Sequence, residues 1–434
     1  MRLDARGGSD GPSRLSAGDA VVPKALYVHV PLCASKCSYC DFFSLPIPRI
    51  DDALEGKLVE STLARASSLA DRFGSDGFDT VYVGGGTPTV LSRAAFERLL
   101  SGLRSIVFDS GGRGPVEWTV EANPDSLGRD KLEAMAGIGV SRLSLGVQSL
   151  EPDELELLGR RHGPEEALQA LRKAGDYGLS LSADLMAAIP SRKLASMRPR
   201  SPGALALAAR ELVDAGAGHL SVYDLCVEEG TPIAGMRDDL AFPGEEESAE
   251  ERRGLESALR ELGMRRYEVS NYASPGRECL HNLAYWRMDS YIGAGPGAVS
   301  TIALKDGSSL RIEEPRSIEG YCAEGRVAAS ESPIGRKDAA FETMMMAFRT
   351  SFGLDLDSFR KRFGLGADSI IGSTLEAWKP WIVQGEPWPD PRVRGKDIED
   401  EASSAGPALT GEGLDILNRF LVDCLAEVDR AFPP

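Results

Sequence analysis

From Ala25 onward, short β-rich runs alternate with longer stretches whose apolar positions recur at helical spacing. The β-rich runs fall at 26–30, 80–83, 117–121, 142–147, 180–189 and 219–225, with amphipathic stretches at 54–69, 93–103, 164–175 and 204–215. Within 164–175, for example, Ala167, Leu168 and Leu171 share one helix face. Six strand–helix units in series predict a parallel sheet with right-handed crossovers, closed fully or partly into a barrel. In either form the C-terminal ends of the strands carry the chemistry. After about residue 240 the alternation weakens. A charged helix is expected over 245–262, then a Gly- and aromatic-rich segment over 267–300. A helical region follows, with Phe341, Met344, Met345 and Phe348 at core spacing, and an amphipathic helix over 412–428 closes the chain. The segment 378–407, rich in Pro, Asp and Glu, reads as an inserted loop. The expected organisation is a disordered tail (1–23), a barrel (24–240), an extension of it (241–310) and a smaller, mainly helical C-terminal domain (311–434). The fold class is α/β, a partial (β/α)6 barrel with that domain appended.

Composition restricts the partners. Hydrophobic residues make up 42% and charged residues 26% of the chain, as in ordinary globular proteins. No run approaches the ~18 apolar residues of a membrane helix. The polar opening segment lacks the apolar core of a secretory signal. A cytoplasmic location is expected, with peripheral membrane contact left open. The formal net charge of −17 repels phosphate backbones, so no nucleic acid is expected as partner, and tRNA-modifying activity is disfavoured.

Of seven cysteines, Cys33, Cys37 and Cys40 crowd into one loop after the first strand, whereas Cys226, Cys279, Cys322 and Cys424 are scattered. This is no disulfide framework. The four isolated thiols read as small buried apolar groups. The C-x3-C-x2-C spacing lets three thiolates grip one face of a [4Fe–4S] cube and leave one iron open. It also permits structural zinc, with His29 as the fourth ligand.

The surrounding residues are more specific. Tyr27-Val-His29-Val-Pro31-Leu-Cys33 through Asp41-Phe42, followed by Gly84-Gly-Gly-Thr87-Pro88 after the next strand, resembles the radical S-adenosylmethionine (SAM) proteins of the HemW and oxygen-independent coproporphyrinogen III dehydrogenase group. Glu121-Ala-Asn123-Pro124, Gly146-Val-Gln148-Ser149, Leu158-Gly-Arg160-Arg-His162 and Asp184 continue the likeness at successive strand ends. The resemblance implies a radical SAM barrel with a [4Fe–4S] cluster on Cys33, Cys37 and Cys40, and SAM on the open iron. It places Tyr27, Gly85, Gly86, Thr87, Glu121, Gln148, Arg160 and Asp184 around SAM, and Tyr39 over its adenine. Arg160 is expected to pair with the SAM carboxylate and Glu121 with its amino or ribose groups. One departure stands out. The group has Gly-Leu-Pro after the aspartate, where this chain has Ala188-Ile-Pro190, which puts a side chain where bare backbone is expected.

Two features choose between branches. The dehydrogenase branch, which converts two propionates of coproporphyrinogen III to vinyl groups, carries a fourth cysteine two residues after the third; here that residue is Phe42. Tyr267-Glu-Val-Ser-Asn271, His281-Asn282-Leu-Ala-Tyr285-Trp286 and Tyr291-Ile-Gly-Ala-Gly-Pro296 resemble the HemW-type haem chaperones, in which the HNxxYW motif is tied to haem. The resemblance implies haem as cargo, contacted by His281, Asn282, Tyr285 and Trp286. Respiratory haem proteins would be the recipients and a flavodoxin-like protein the electron donor, and the resemblance allows a homodimer. The competing reading of the motif is a satisfied histidine beside core aromatics.

Overall fold

The computed structural model describes residues 17–47, 51–193, 203–323, 328–389 and 405–432. The twelve strands of its main sheet are β1 (Ala25–Val30), β2 (Thr80–Gly85), β3 (Glu117–Ala122), β4 (Arg142–Gln148), β5 (Ser180–Ala187), β6 (His219–Asp224), β7 (Arg265–Arg266), β8 (Asn271–Ala273), β9 (Tyr291–Ala294), β10 (Val299–Ala303), β11 (Ser309–Glu313) and β12 (Ser330–Ile334). Their order is β7-β8-β6-β5-β4-β3-β2-β1-β9-β10-β11-β12, a curled sheet that does not close. β1 to β6 pair in parallel as expected. β9 adds a seventh parallel strand on the far side of β1, with Ala25 opposite Tyr291. The remaining pairings, at both edges, are antiparallel.

The alternation along the parallel strands is sharp. Leu26, Val28, Val81, Val83, Trp118, Val120, Leu143, Leu145, Leu181, Ala183 and Leu220 all belong to one apolar core. That core includes Phe96, Leu99 and Leu103 of the helix Arg93–Val107, and Leu168 and Leu171 of the helix Pro164–Gly175. The intervening positions point to the other face of the pleat. They are Tyr27 and His29, Thr80 and Tyr82, Glu117, Thr119 and Glu121, Arg142 and Ser144, Ser182 and Asp184, and His219 and Ser221. The barrel is thus apolar outside, where helices cover it, and polar within.

Several boundaries differ from expectation. The part of the expected tail that is described does not dangle: Ala20 is buried and bridges Leu304, and Val21 donates to Ala303 O at 2.8 Å. Residues 1–16 lie outside the described residues. The boundary expected at 310/311 falls inside β11, because β11 and β12 extend the barrel sheet rather than open a helical domain. The helical part begins with Arg336–Ala347 and packs with Leu356–Phe363, Ala367–Ala377 and Leu417–Ala431 around Phe348, Phe359, Phe363 and Phe420. The closing helix is broken at Ile416, which separates Gly411–Asp415 from Leu417–Ala431. The flanks of the expected insertion are built into the core. Trp378 is buried and donates to Asp423 at 2.8 Å, and Ile382–Gln384 pairs with Pro407–Leu409. Trp388 lies 5.0 Å from Phe352 and donates to Gly353 O at 3.1 Å. Among the four isolated cysteines, Cys279 and Cys424 are buried and Cys322 is half-buried, but Cys226 is exposed.

β5 ends at Ala187 because Ala188 turns into the left-handed region, with φ +52°. This is the position where the resemblance expects Gly, and a Cβ there costs about 1–2 kcal/mol. Ala188→Gly removes that strain but loosens the unfolded chain. The net expectation is a stabilisation of about 0.5–1 kcal/mol, read as a higher urea midpoint at unchanged slope.

Candidate functional site

The cysteine loop leaves the C-terminal end of β1 and is tied down along its length. Leu45 N–H donates to Pro31 O at 2.8 Å, and the Ser38 amide and hydroxyl donate to Leu158 O and Leu157 O at 3.0 and 2.7 Å. Those contacts bring in Arg160, just beyond. Its guanidinium donates to Cys37 Sγ at 3.2 Å, Asn123 Oδ1 at 2.6 Å and Gly146 O at 2.7 Å. Asn123 Nδ2 donates to Thr87 Oγ1 at 2.9 Å, and the Thr87 hydroxyl donates to Cys33 Sγ at 3.7 Å. A continuous polar chain therefore runs from one thiol to the other: Cys33, Thr87, Asn123, Arg160, Cys37. Sequence reasoning gives Asn123 no ligand, because Asn-Pro after a strand reads first as a turn. The structure makes it the link between the second, third and fourth strand ends.

His29 is not a fourth ligand to the thiols. Its Nδ1 pairs with Tyr27 Oη at 2.8 Å and its Nε2 with Phe43 O at 3.1 Å. Three thiols without that imidazole do not make the closed four-ligand set of structural zinc. Three is the number of thiolates that leaves one iron of a [4Fe–4S] cube open. Burial pushes the Cys33 and Cys40 thiols above their ordinary range, so metal binding there releases protons.

The residues expected around SAM converge beside this loop. Gly85 has φ +104°, and a Cβ on Gly86 would lie 2.4 Å from Leu32 O, so the turn after β2 can be built only from bare backbone. The Gly85 amide donates to Glu121 Oε2 at 3.0 Å, and Tyr82 Oη donates to Glu121 Oε1 at 2.7 Å. Burial pushes the Glu121 carboxyl up to about 7, opposed by the Tyr82 hydroxyl and raised further by Asp184. Asp184 accepts from Ser144 at 3.3 Å, and burial raises it as well. Gln148 ends β4 with φ +72°, next to the register shift between Gly146 and Gln148. A Cβ at Gly146 would meet Asn123 Oδ1 at 2.8 Å, Gln148 Nε2 at 3.0 Å and Arg160 Nη2 at 3.4 Å, so these three side chains share one small space. Arg160 Nε is buried without a partner, which suits a carboxylate delivered by a ligand. Tyr39 packs against the apolar cluster of Leu157, Leu158, Met186 and Ile189 at the barrel mouth.

The four residues expected on haem sit elsewhere. The helix Leu280–Trp286 sits at the other end of the polar interior with His281, Leu283 and Ala284 buried, anchored by Glu117, which accepts from His281 N at 3.0 Å and Leu280 N at 3.2 Å. His281 is fully buried. Its Nδ1 pairs with Thr80 Oγ1 at 3.0 Å and its Nε2 with Tyr285 Oη at 2.8 Å. Both nitrogens being taken, the ring offers haem iron no axial position in this arrangement. The histidine expected on haem is thus engaged by protein partners here, a direction that the motif alone does not give. Desolvation lowers the imidazole to about 3, so it is neutral. Tyr285 packs between His281 and Tyr291, with ring centroids 4.8 and 4.5 Å away. Trp286 packs with the cluster of Tyr267, Phe352 and Trp388, and Asn282 is half-buried.

Two outcomes follow for the thiol chain. Cys37→Ala should abolish iron and sulfide uptake on anaerobic reconstitution. Asn123→Ala should retain the three thiols but leave Arg160 short of a partner, costing about 1.5–3 kcal/mol in denaturant unfolding.

Comparison with known proteins agrees with this architecture. Residues 27–197 match the radical SAM superfamily, and residues 334–377 match the HemN C-terminal domain. The chain is 34% identical over 373 residues to heme chaperone HemW of Escherichia coli (strain K12), covering 84% of this chain and 91% of that protein. It is 31% identical to heme chaperone HemW of Bacillus subtilis (strain 168), covering 81% and 90%. It is 30% identical to the mitochondrial radical S-adenosyl methionine domain-containing protein 1 of Bos taurus, covering 94% and 88%. The solved structure of coproporphyrinogen III oxidase (HemN) from Escherichia coli superposes with a TM-score of 0.70 at 19% identity, over 93% of this chain and 90% of that one, which speaks for the fold. The chain belongs to the HemW family of the radical SAM superfamily.

Proposed function

We propose that this chain is a haem chaperone that takes up haem and delivers it to respiratory haem proteins. The observation that carries the reading is the reach of the sequence likeness: 34% identity to a protein named heme chaperone, over 91% of its length. The likeness to the decarboxylating oxidase is one of fold, at 19% identity. The cysteine loop supports the same side, because Phe42, at the position of that branch's fourth thiol, is 65% exposed.

In this proposal Cys33, Cys37 and Cys40 hold the [4Fe–4S] cluster. Gly85, Gly86, Thr87, Glu121, Gln148, Arg160 and Asp184 form the SAM pocket, with Tyr27 and Tyr39 at its edges. When bound, the cluster and SAM supply reductive sulfonium chemistry. The protein supplies thiolates, fixed dipoles and exclusion of water. A low-potential donor such as a flavodoxin would reduce the cluster, and the working form would be a homodimer in the cytoplasm. Among the described residues no helix is long and apolar enough to cross a membrane. Haem contact through His281 would require the Leu280–Trp286 helix to withdraw from the barrel, since that ring is sealed within it, whereas Asn282, Tyr285 and Trp286 are half-buried.

Anaerobically reconstituted protein should take up haem, with a Soret band, and pass it to an apo haem acceptor, leaving coproporphyrinogen III unchanged. Conversion of coproporphyrinogen III to protoporphyrinogen IX without haem uptake would replace this reading by the enzymatic one.

A further inference from the structure

His281 has no free nitrogen, yet it lies on a direct path to the SAM pocket. Its ring stacks on Tyr82, with centroids 5.3 Å apart and planes 28° apart. Tyr82 in turn donates its hydroxyl to Glu121, whose second oxygen takes the Gly85 amide. The imidazole is held from both sides by Thr80 and Tyr285, and its helix is held by Glu117. Thr80 and Tyr82 stand two apart on β2, so both point into the barrel, and His281 touches both. The ring thus bridges the base of β2 and the tyrosine that aims Glu121.

We propose that His281 is a positioning residue for SAM: it fixes the Tyr82 ring, and Tyr82 fixes the Glu121 carboxylate and the Gly85 turn. The HNxxYW helix is then the floor of the SAM pocket, a role independent of haem. The inference rests on the reading of Glu121 as a SAM contact.

A positioning role differs from a merely structural one in what it does to Glu121. The Tyr82 hydroxyl favours the ionised carboxylate, so its removal raises Glu121 further above its value of about 7. The titratable groups facing Glu121 are Tyr27, Tyr82, Asp184, Tyr223 and Tyr285. Burial raises Tyr27, Tyr82 and Tyr285 far above neutrality and Tyr223, 46% exposed, also lies well above it, so among the described residues Asp184 is the one other group that titrates with it. If the ionised carboxylate binds SAM, affinity rises with pH through the Glu121 value. That rise shifts to higher pH when the hydroxyl donor is gone.

The test is equilibrium binding of SAM to reconstituted protein, measured against pH, with the SAM-induced change in the electron paramagnetic resonance spectrum of the reduced cluster as a second readout. Tyr82→Phe keeps the ring stack and removes only the hydroxyl. It should weaken SAM about tenfold near neutrality, recover at higher pH, and keep that shift in an Asp184→Asn background. His281→Ala should weaken SAM to a similar degree at normal iron content, and His281→Gln should restore part of the loss. The double variant should bind no more weakly than the worse single one, since both act through Glu121. Glu121→Gln serves as the control: unchanged SAM affinity there would remove Glu121 from the pocket and the proposal with it. If Glu121→Gln weakens SAM while Tyr82→Phe and His281→Ala do not, the pocket assignment stands and the positioning role falls. Loss of haem uptake with unchanged SAM binding in His281→Ala would likewise overturn the proposal and return His281 to the haem.

Discussion

A polar face turned into the middle of a protein must find its partners there, because an unpaired buried donor or acceptor costs about as much as several good contacts provide. The parallel strands of this chain carry such a face. Tyr82 and Glu121, Ser144 and Asp184, Ser182 and His219 meet across neighbouring strands inside the barrel. Most of the structure follows from satisfying that interior. At the strand C-termini the partners are the cysteine loop, Arg160 and a space that suits SAM. At the opposite end the chain itself fills the gap.

The filling comes from the segment after the sixth strand. Tyr267 Oη pairs with His219 Nε2 at 2.8 Å, and Arg142 donates to Arg277 O at 3.1 Å. Glu117 takes the first amides of the Leu280–Trp286 helix, and His281 occupies the space between Thr80 and Tyr82. Both histidines are driven neutral by burial, His219 by desolvation with Arg142 adding to it and His281 by desolvation alone. A neutral imidazole between two hydroxyls can donate to one and accept from the other, whereas a charged one would be left uncompensated. The motifs that sequence ties to haem are, in the folded chain, the plug of the barrel.

The mouth is where such groups adjoin the cysteine loop: Arg160 Nε lacks a partner, and burial raises Glu121 and Asp184 above their ordinary values. Such frustration belongs to sites that bind something, since the missing partner arrives with the ligand. The left-handed backbone at Gln148 and Ala188 marks the same rim, where strand ends turn sharply to bring side chains together.

The amino-acid sequence by itself determined the six parallel strands, the helices between them and the three-cysteine loop. Hydrophobic periodicity and cysteine spacing are local properties, and the cost of breaking them is local too. The polar alternation in Thr80-Val-Tyr82-Val and Glu117-Trp-Thr119-Val-Glu121 was also written there, although a polar interior is readable from it only once the apolar residues are seen to face helices. Only the tertiary structure decided that β9 joins β1, that Asn123 connects Thr87 to Arg160, that Trp378 and Trp388 are core rather than loop, and which way His281 faces. Each of these depends on contacts between residues far apart in the chain. A side chain's identity leaves its direction open until packing against distant neighbours removes every alternative but one.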